Sequence, residues 1–214
     1  MHPFRGIGIF LIGISLATLL SCASETRRPA NIIANSRFLI DGPEQIIEGR
    51  ENWRGPDDLS AECFITREKD GFHIRIVITD DDFQAQSQSP TQNDSAAIYL
   101  DFRNNDRRES DSFSRGAFMV RLLPHFAGDL GESMRWYPLD KSYDPSVPGT
   151  KFTSKTLNPK QYEIKIHLPI EGLKQSQTVP MREFFIDVEI IDADASGGIT
   201  RMSWTGKDRN WELP

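Results

Sequence analysis

Acidic side chains gather at two places where an apolar stretch of the sequence ends, and their spacing is typical of calcium-binding loops. Three aspartates in a row occupy positions 80–82, and Asp192 and Asp194 alternate with alanines further along the chain. A hard cation such as Ca2+ takes about six to eight oxygen ligands from short loops, which carboxylates can supply. An EF-hand is excluded, because the twelfth position counted from Asp192 is Ser203 instead of a glutamate. Solvated acidic turns are the alternative to a structural Ca2+ bound by Asp80, Asp82, Asp192 and Asp194.

Two tryptophans begin and nearly end the closing sequence WTGKDRNWELP, at positions 204 and 211. Trp211 lies in a polar turn where burial is not forced, so it is either a platform for a ligand or a lid packed over a sheet edge. Trp204 follows a strand pattern and is expected to belong to the core, with a ligand contact as the alternative. Trp136 is a further candidate platform, although large aromatic residues in an all-β domain are core residues more often than not.

The histidines carry no recognisable catalytic or zinc motif. His73 and His167 fall on the polar sides of strand patterns, and His125 is the third histidine outside the N-terminal segment. The sequence contains no H-E-x-x-H, C-x-x-C, G-x-S-x-G or glycine-rich phosphate loop, so a zinc site or a nucleophilic centre has little support. Nothing selects a pair among the 31 acidic residues for glycoside hydrolysis. We therefore expect a protein without catalytic activity.

The first residues, MHPFRGIGIFLIGISLATLLSCAS, have the organisation of a secretory signal. Arg5 precedes an apolar run at 6–20 that is too short, and too quickly interrupted, for a membrane-spanning helix. The Leu-Leu-Ser-Cys ending resembles a bacterial lipoprotein signal, in which the cysteine, Cys22 in this sequence, becomes the lipid-bearing first residue. We expect a signal peptide at 1–21 and the lipidated cysteine with its tether at 22–36. An ordinary secretory signal cleaved nearby is the alternative.

Lipidation and charge predict where the protein is found. Acyl chains of the palmitate type contribute roughly 0.8 kcal/mol per buried methylene, so a multiply acylated Cys22 anchors the protein to a membrane surface. Ala23 and Ser24 stand where an aspartate would resemble an inner-membrane retention signal, which favours the outer membrane if the host has one. The formal net charge of -6 is not typical of a protein that binds nucleic acid. Cys63, the other cysteine, is expected to be a small buried hydrophobe.

The domain expected at 37–214 alternates apolar and polar residues with a period of two. The pattern is strong in DGFHIRIVITDDDF (70–83), SAAIYLDF (95–102), GAFMVRLL (116–123), YEIKIHLP (162–169) and FFIDVEII (184–191). Weaker candidate strands occupy 37–41, 59–66, 134–139, 150–157 and 199–204, and Asp94 and Asp101 bracket one strong strand. No stretch has apolar residues at helical spacing over three turns. Short strands without helices to cover a parallel sheet predict an all-β domain, an antiparallel, jelly-roll-like β-sandwich.

Several stretches in order give the domain a family resemblance. They are FLIDG (38–42), DGFHIRIVITDDDF (70–83), NDSAAIYLDF (93–102), YEIKIHLPIEGL (162–173), DVEIIDAD (187–194) and SWTGKDRNWELP (203–214). Together they resemble the family 9 carbohydrate-binding modules and their wider relatives over residues 38–214. The resemblance implies a non-catalytic β-sandwich that binds glycan chain ends and often holds structural calcium, and many such modules are attached to xylan-degrading enzymes.

The sugar site implied by the resemblance is only partly present in the sequence. Of the two tryptophans that clamp a sugar in the family, Trp211 matches one, and Thr91 stands at the position of the other. A sugar-binding glutamate of the family aligns with Ala97, and an arginine aligns with Met119. A sugar that loses its hydrogen bonds to water needs replacement donors and acceptors, so the fold transfers better than the site. The candidate ligand contacts are Trp211, Trp204, Thr91 and Trp136.

The sequence therefore favours a membrane-anchored lipoprotein whose sandwich binds glycan or polysaccharide chain ends and assists secreted glycoside hydrolases in polysaccharide breakdown of the xylan type. A haem or redox-partner sandwich of related fold is one alternative, with Met119 and Met202 as conceivable axial ligands but no C-x-x-C-H attachment site. A structural envelope lipoprotein that uses the sandwich for protein contacts is the other.

Overall fold

The computed structural model of the protein describes residues 36–84, 93–102, 117–124, 133–137, 147–176, 185–195 and 197–208. In chain order the strands of this part are β1 (Ser36–Ile40), β2 (Ile46–Glu48), β3 (Leu59–Arg67), β4 (Gly71–Asp80), β5 (Ser95–Asp101), β6 (Ala117–Leu123), β7 (Ser133–Tyr137), β8 (Lys151–Asn158), β9 (Gln161–Pro169), β10 (Phe185–Ala193) and β11 (Ile199–Ser203). A 3-10 turn, Pro43–Gln45, precedes β2, and the helix α1 (Ile170–Ser176) follows β9. Within these ranges no helix is long and apolar enough to cross a membrane.

The strands form two antiparallel sheets. The first sheet has the order β1-β3-β4-β9-β8, and the second has the order β2-β11-β10-β5-β6-β7. Strands that pair with distant partners, such as β4 with β9 and β5 with β10, show that the sheets assemble across the whole chain. The predicted all-β antiparallel sandwich is confirmed, and each of the ten predicted strands is present with small differences at the ends. The three-residue β2 and the two-turn α1 escaped prediction because both are too short to show a period.

The core lies between the two sheets and is built from the apolar members of the alternating patterns. In β4, Phe72, Ile74, Ile76 and Ile78 are buried while the residues between them are half-exposed. β9 likewise buries Tyr162, Ile164, Ile166 and Leu168, although Glu163 between them is buried as well. From the second sheet the core receives Ile98, Leu100, Val120, Leu122, Ile186, Val188, Ile190 and Met202. Cys63 is also fully buried, as expected of a small hydrophobe.

The second sheet differs from a simple half-buried sheet, because its outer face is closed as well. The described side chains of β5 are buried on both faces from Ser95 to Leu100, and β10 is buried from Ile186 to Ala193. Apart from Ile191, the outward residues of these strands are small or polar. The alternation of apolar and polar residues, which usually marks a face in contact with solvent, therefore hides a second buried layer. This layer positions the candidate site.

Candidate functional site

The outer face of the second sheet, which points away from the core, carries a connected set of polar side chains. Glu189 on β10 accepts hydrogen bonds from the Tyr99 hydroxyl on β5 (3.0 Å) and from Arg201 Nε on β11 (2.9 Å). Arg201 also donates to Glu48 on β2 (2.7 Å) and to Asp208 beyond β11 (3.1 Å). The network therefore crosses four adjacent strands, and its centre, Glu189, is fully buried.

Burial and the opposite charges of Glu189 and Arg201, the central pair of this network, both shift the pKa values of these two groups. Burial raises the pKa of Glu189 above its ordinary value, although Arg201 and Tyr99 oppose the shift. Burial lowers the pKa of Arg201, but the charges and hydrogen bonds of Glu189 and Glu48 outweigh it and raise that pKa. A buried ion pair of this kind is costly to assemble and is destabilising when one partner is removed. The network thus holds charged groups in fixed positions under a closed surface.

Arg121 on β6 lies on the same face, and its hydrogen bonding is incomplete. Its side chain is 6% exposed, and its Nε is buried with no hydrogen-bond partner. In the sheet register, Ala97 on β5 lies between Arg121 on one side and Glu189 on the other. Leaving a buried donor unpaired costs about 1–3 kcal/mol, so such a group indicates a missing acceptor. Arg121 is therefore the residue of this face that is best prepared to meet a ligand.

The positions that align with the polar sugar contacts of the family are apolar and closed. Ala97 and Met119 are both fully buried, and with Tyr99 they form an apolar cluster separate from the main core. Thr91 and Trp211 lie outside the described residues. Trp136 lies on β7, where the backbone is described but the side chain is not. The structure thus brings none of the candidate ligand contacts together within its described part.

Trp204 packs into the body of the protein, as the core interpretation requires. It follows β11, is half-buried, and stacks on Phe38 with ring centroids 4.1 Å apart and an interplanar angle of 23°. Its carbonyl oxygen accepts a hydrogen bond from Gln45 Nε2 (3.2 Å), and its amide donates to the Val188 carbonyl (2.9 Å). One ring face is therefore occupied by Phe38, which reduces the area left for a ligand.

The structure removes the ligand pair of the haem alternative. Met202 belongs to the core between the sheets, whereas Met119 belongs to the cluster on the outer face of the second sheet. Both are fully buried. Because the sheet separates them, the two sulfur atoms cannot bind opposite sides of one haem iron.

A second group of polar side chains lies at the end of the sandwich where β4, β5 and β10 approach one another. Asp80 ends β4, Asp94 directly precedes β5, and Asp192 lies near the end of β10. All three are buried, and one carboxylate oxygen of each lies within 4.8 Å of the others. Asp80 belongs to the first sheet and Asp192 to the second, so this acidic cluster links the two sheets.

The hydrogen bonds of the acidic cluster fix its carboxylates but do not saturate them. Asp94 accepts from the amides of Ala193 (2.8 Å) and Gln84, and Asp80 Oδ1 accepts from the Asp82 amide (2.9 Å). Asp80 Oδ2 and Asp192 Oδ1 remain buried without a hydrogen-bond partner.

The carboxyl groups of the cluster resist ionisation. Burial is the largest cause, neighbouring carboxylates add to it, and the pKa rises to about 6 for Asp80, about 8 for Asp192 and about 10 for Asp94. Buried carboxylates that repel one another are stabilised by a cation, and oxygen ligands suit Ca2+. The unpaired oxygens of Asp80 and Asp192 show that the residues fit a hard cation, whose charge would offset this repulsion.

Asp82 and Asp194 lie at the rim of this cluster. Asp82 accepts hydrogen bonds from Gln84 Nε2 (2.9 Å) and from the Ala195 amide (3.3 Å), and Asp194 is half-buried in the turn after β10. Neither belongs to the three oxygens that converge. The sequence singled out Asp80 and Asp192 as candidate calcium ligands at two separate places, and their role as ligands stays a prediction, while Asp94 was visible only as a residue that brackets a strand. Arg121 and Glu189 gave no signal, because each looked like a solvent-facing residue of an alternating strand.

Comparisons with known proteins agree with this architecture. The family model for carbohydrate family 9 binding domain-like proteins matches residues 44–214. A family 9 carbohydrate-binding module from Caldicellulosiruptor kristjanssonii in complex with glucose superposes with a TM-score of 0.50 at 14% identity, over 68% of this chain and 66% of that one. A module from the same organism in complex with cellotriose gives a TM-score of 0.50 at 12% identity, over 75% of this chain and 71% of that one.

The two superpositions show a shared fold, and the chain spans about two thirds of the length of the glucose-bound structure. No curated protein matches the sequence. The family match covers most of the chain and includes the acidic cluster, the outer face of the second sheet and the closing tryptophans. The chain therefore belongs to the carbohydrate family 9 binding domain-like family, a family of carbohydrate-binding domains.

Proposed function

We propose that the protein is a lipid-anchored, non-catalytic glycan-binding protein of the cell envelope. The observation that carries this proposal is the polar layer on the outer face of the second sheet, where Arg121 has a buried, unpaired donor beside the Tyr99–Glu189–Arg201 network. A sugar needs fixed donors and acceptors in place of water. Glycans are the ligand class that fits both this layer and the family, since the two superposed modules hold glucose and cellotriose.

The polar groups that would hold a sugar are displaced from the family's usual positions. Ala97 and Met119 cannot hydrogen-bond a hydroxyl, but Arg121 and Glu189 flank Ala97 in the same row of the sheet. Of these two groups, Arg121 would donate to the sugar through its unpaired Nε, and Glu189, which already accepts from Tyr99 and Arg201, would fix the polar layer beside it. Trp211 would supply the stacking face, with Trp136 and Thr91 as further contacts and Trp204 as support. The site would thus be a rebuilt version of the family's site.

The acidic cluster would serve the sandwich as a structural calcium site. Asp80, Asp94 and Asp192 would hold the ion, and Asp82 and Asp194 lie at its rim. Because the cluster joins the two sheets, a bound cation would fix the end of the sandwich at which β5 begins. Thr91, one of the candidate sugar contacts, precedes β5 by four residues in the sequence.

The lipid anchor would fix the location of the binding surface. Cys22 would carry the acyl chains, and residues 22–36 would lift the sandwich from the outer leaflet or from whichever envelope membrane the host provides. A protein held in this way can retain glycan chain ends close to secreted glycoside hydrolases. The proposed biological role is polysaccharide breakdown of the xylan type, without catalysis by this chain.

A glycan array tests the proposal on the full chain solubilised in detergent micelles with Ca2+ present. We expect binding to xylan- or cellulose-type oligosaccharides, with loss of binding in Trp211→Ala and in Arg121→Gln. Arg37→Gln is the matched control, because Arg37 lies on the first sheet and its side chain is 66% exposed. Urea unfolding of each variant separates loss of the site from loss of the fold.

If folded wild-type protein binds no glycan on the array, the proposal is contradicted. That result would favour a structural lipoprotein that uses its sandwich for protein contacts. In that case Trp211→Ala should weaken a protein interaction while sugar binding stays absent. Equal binding by the wild type, Arg121→Gln and Trp211→Ala would instead place the sugar on another surface of the sandwich.

A further inference from the structure

Two histidines that lie far apart in the sequence meet on the outer face of the first sheet. His73 on β4 and His167 on β9 are directly opposite each other in the antiparallel register. Their rings stack with centroids 4.4 Å apart and 21° between the ring planes. The side chains of His73 and His167 are 39% and 22% exposed. The sequence showed two unrelated polar positions, and the strand pairing turns them into one imidazole pair.

Asp70 brings a carboxylate to both rings from the turn between β3 and β4. Its Oδ1 lies 3.2 Å from His73 Nε2, and its Oδ2 lies 3.4 Å from His167 Nε2. The turn is closed by a hydrogen bond from the Glu68 amide to the Gly71 carbonyl (2.8 Å). One ligand atom from each of Asp70, His73 and His167 lies within 4.8 Å of the other two.

These separations fit a coordination sphere. Zinc bonds to imidazole nitrogen and carboxylate oxygen are about 2.0–2.2 Å long, which places neighbouring ligand atoms of a tetrahedral site about 3.4 Å apart. The two measured nitrogen–oxygen distances, 3.2 and 3.4 Å, are close to that value. Glu68 Oε2 lies 3.9 Å from His73 Nε2 and can approach as a fourth ligand.

Hydrogen bonding among the side chains does not account for the whole cluster. The 3.2 Å contact between His73 and Asp70 is a hydrogen bond. His167 Nε2, however, makes no hydrogen bond, although it lies 3.4 Å from Asp70 Oδ2. A ring nitrogen without a hydrogen bond beside a carboxylate oxygen is suitably placed to bind a cation.

We propose that Asp70, His73 and His167 form a binding site for a divalent transition-metal ion of the zinc class, with Glu68 as the additional ligand. Imidazole nitrogen favours Zn2+, Cu2+ and Ni2+ over Ca2+, so this site differs in chemistry from the all-oxygen acidic cluster. It opens onto a groove of about 500 Å³ lined in part by Phe64, Arg75 and Lys165.

The site can be tested with Zn2+ alone on the full chain in detergent micelles. The protein is stripped with a chelator, supplied with millimolar Ca2+ to occupy the acidic cluster, and titrated with Zn2+ by calorimetry. We expect one Zn2+ to bind, and we expect His73→Gln and His167→Gln each to weaken binding at least about tenfold, since loss of an outer-sphere partner alone costs that much. His125→Gln is the matched histidine control and Asp192→Asn the control for the acidic cluster, and both should bind Zn2+ as the wild type does.

A measurement on the unchanged protein guards against variants that fail to fold. Zn2+ should shift the ring nitrogen resonances of His73 and His167 and leave those of His125 in place. The proposal is overturned if wild-type protein binds no Zn2+, if the ring resonances of His73 and His167 do not move, or if His73→Gln and His167→Gln bind as tightly as the wild type. Sugar binding plays no part in these readouts, so failure of the glycan proposal would leave this result unaffected.

Discussion

Replacing Asp192 with asparagine should stabilise the protein in the absence of calcium and should weaken the stabilisation that calcium provides. The carboxylate oxygens of the acidic cluster lie within 4.8 Å of one another. Two unit charges at that separation repel by about 3.5 kcal/mol at an effective dielectric constant of about 20. Without a cation, the folded state must accept this repulsion or protonate a carboxyl group whose pKa burial has raised. The isosteric Asp192→Asn removes one charge, so in chelator the variant should be more stable than the wild type by about 2 kcal/mol.

Calcium should reduce this advantage, because the wild type gains more from the ion than the variant does. At a Ca2+ concentration about 100 times its dissociation constant, binding stabilises the wild type by about 2.7 kcal/mol. Losing one anionic ligand weakens binding at least about tenfold, so the gain of Asp192→Asn falls to about 1.4 kcal/mol or less.

Urea unfolding in chelator and in Ca2+ measures both effects, since the unfolding free energy is linear in denaturant. Glu171→Gln is the control, because that carboxylate is 76% exposed and pairs with Lys174 on the surface. If Asp192→Asn is less stable than the wild type in chelator and both gain equally from Ca2+, the cluster is not a cation site.

Other contacts of the sandwich lead to further predictions. Burial raises the pKa of Glu163, but hydrogen bonds from Arg75, Lys165 and Lys155 outweigh burial and lower this pKa to about 2. The ionised Glu163 carboxylate therefore stabilises the folded state fully above pH 4.5, the ordinary pKa of a glutamate, and this stabilisation is lost as the pH falls towards 2. Because those three cations are about half-exposed, Glu163→Gln should lower the free energy of unfolding by only about 1–2 kcal/mol at pH 7, measured by urea unfolding. The difference from the wild type should shrink between pH 4.5 and 2. A difference that stays constant over this range would contradict the ion-pair explanation. Trp204→Ala should lower the free energy of unfolding by about 2–3 kcal/mol, because the stack on Phe38 is lost. Trp204→Phe should keep most of that stability. If Trp204→Ala instead loses sugar binding at unchanged stability, Trp204 belongs to the ligand site. Burial raises the pKa of the Cys63 thiol, so a thiol reagent at pH 8 should modify Cys63 only when the protein unfolds. Rapid modification of the folded protein would show instead that β3 opens locally.

The strands and the core could be predicted from local pattern alone. In β4 and β9 every second residue is a large apolar one, and a strand places every second side chain on one face, so the core residues of the first sheet follow directly. In the second sheet, the same pattern did not distinguish exposed from buried residues on the outer face. Tyr99, Arg121 and Glu189 alternate with core residues as solvent-facing residues would, yet they are buried. Period two identifies the two faces of a strand, but it cannot tell whether the outer face is covered.

The candidate sites depended on tertiary structure to different degrees. Asp80 and Asp192 each end an apolar strand, which made them visible as candidates, but their approach to Asp94 follows from the packing of the two sheets against each other. Trp211 and Thr91 could be located only through the family resemblance, and their roles stay predictions.

The antiparallel sandwich, the alternating core and the resemblance to a carbohydrate-binding family can be inferred from the sequence, because each depends on residues close together along the chain or on motifs in fixed order. Which polar residues become neighbours depends instead on how the strands and sheets assemble. His73 and His167 meet because β4 pairs with β9, and the acidic cluster forms because the two sheets pack face to face and bring Asp80 and Asp192 together at one end of the sandwich. Strand pairing depends on the free energy of the whole sheet, so no short stretch of sequence encodes it.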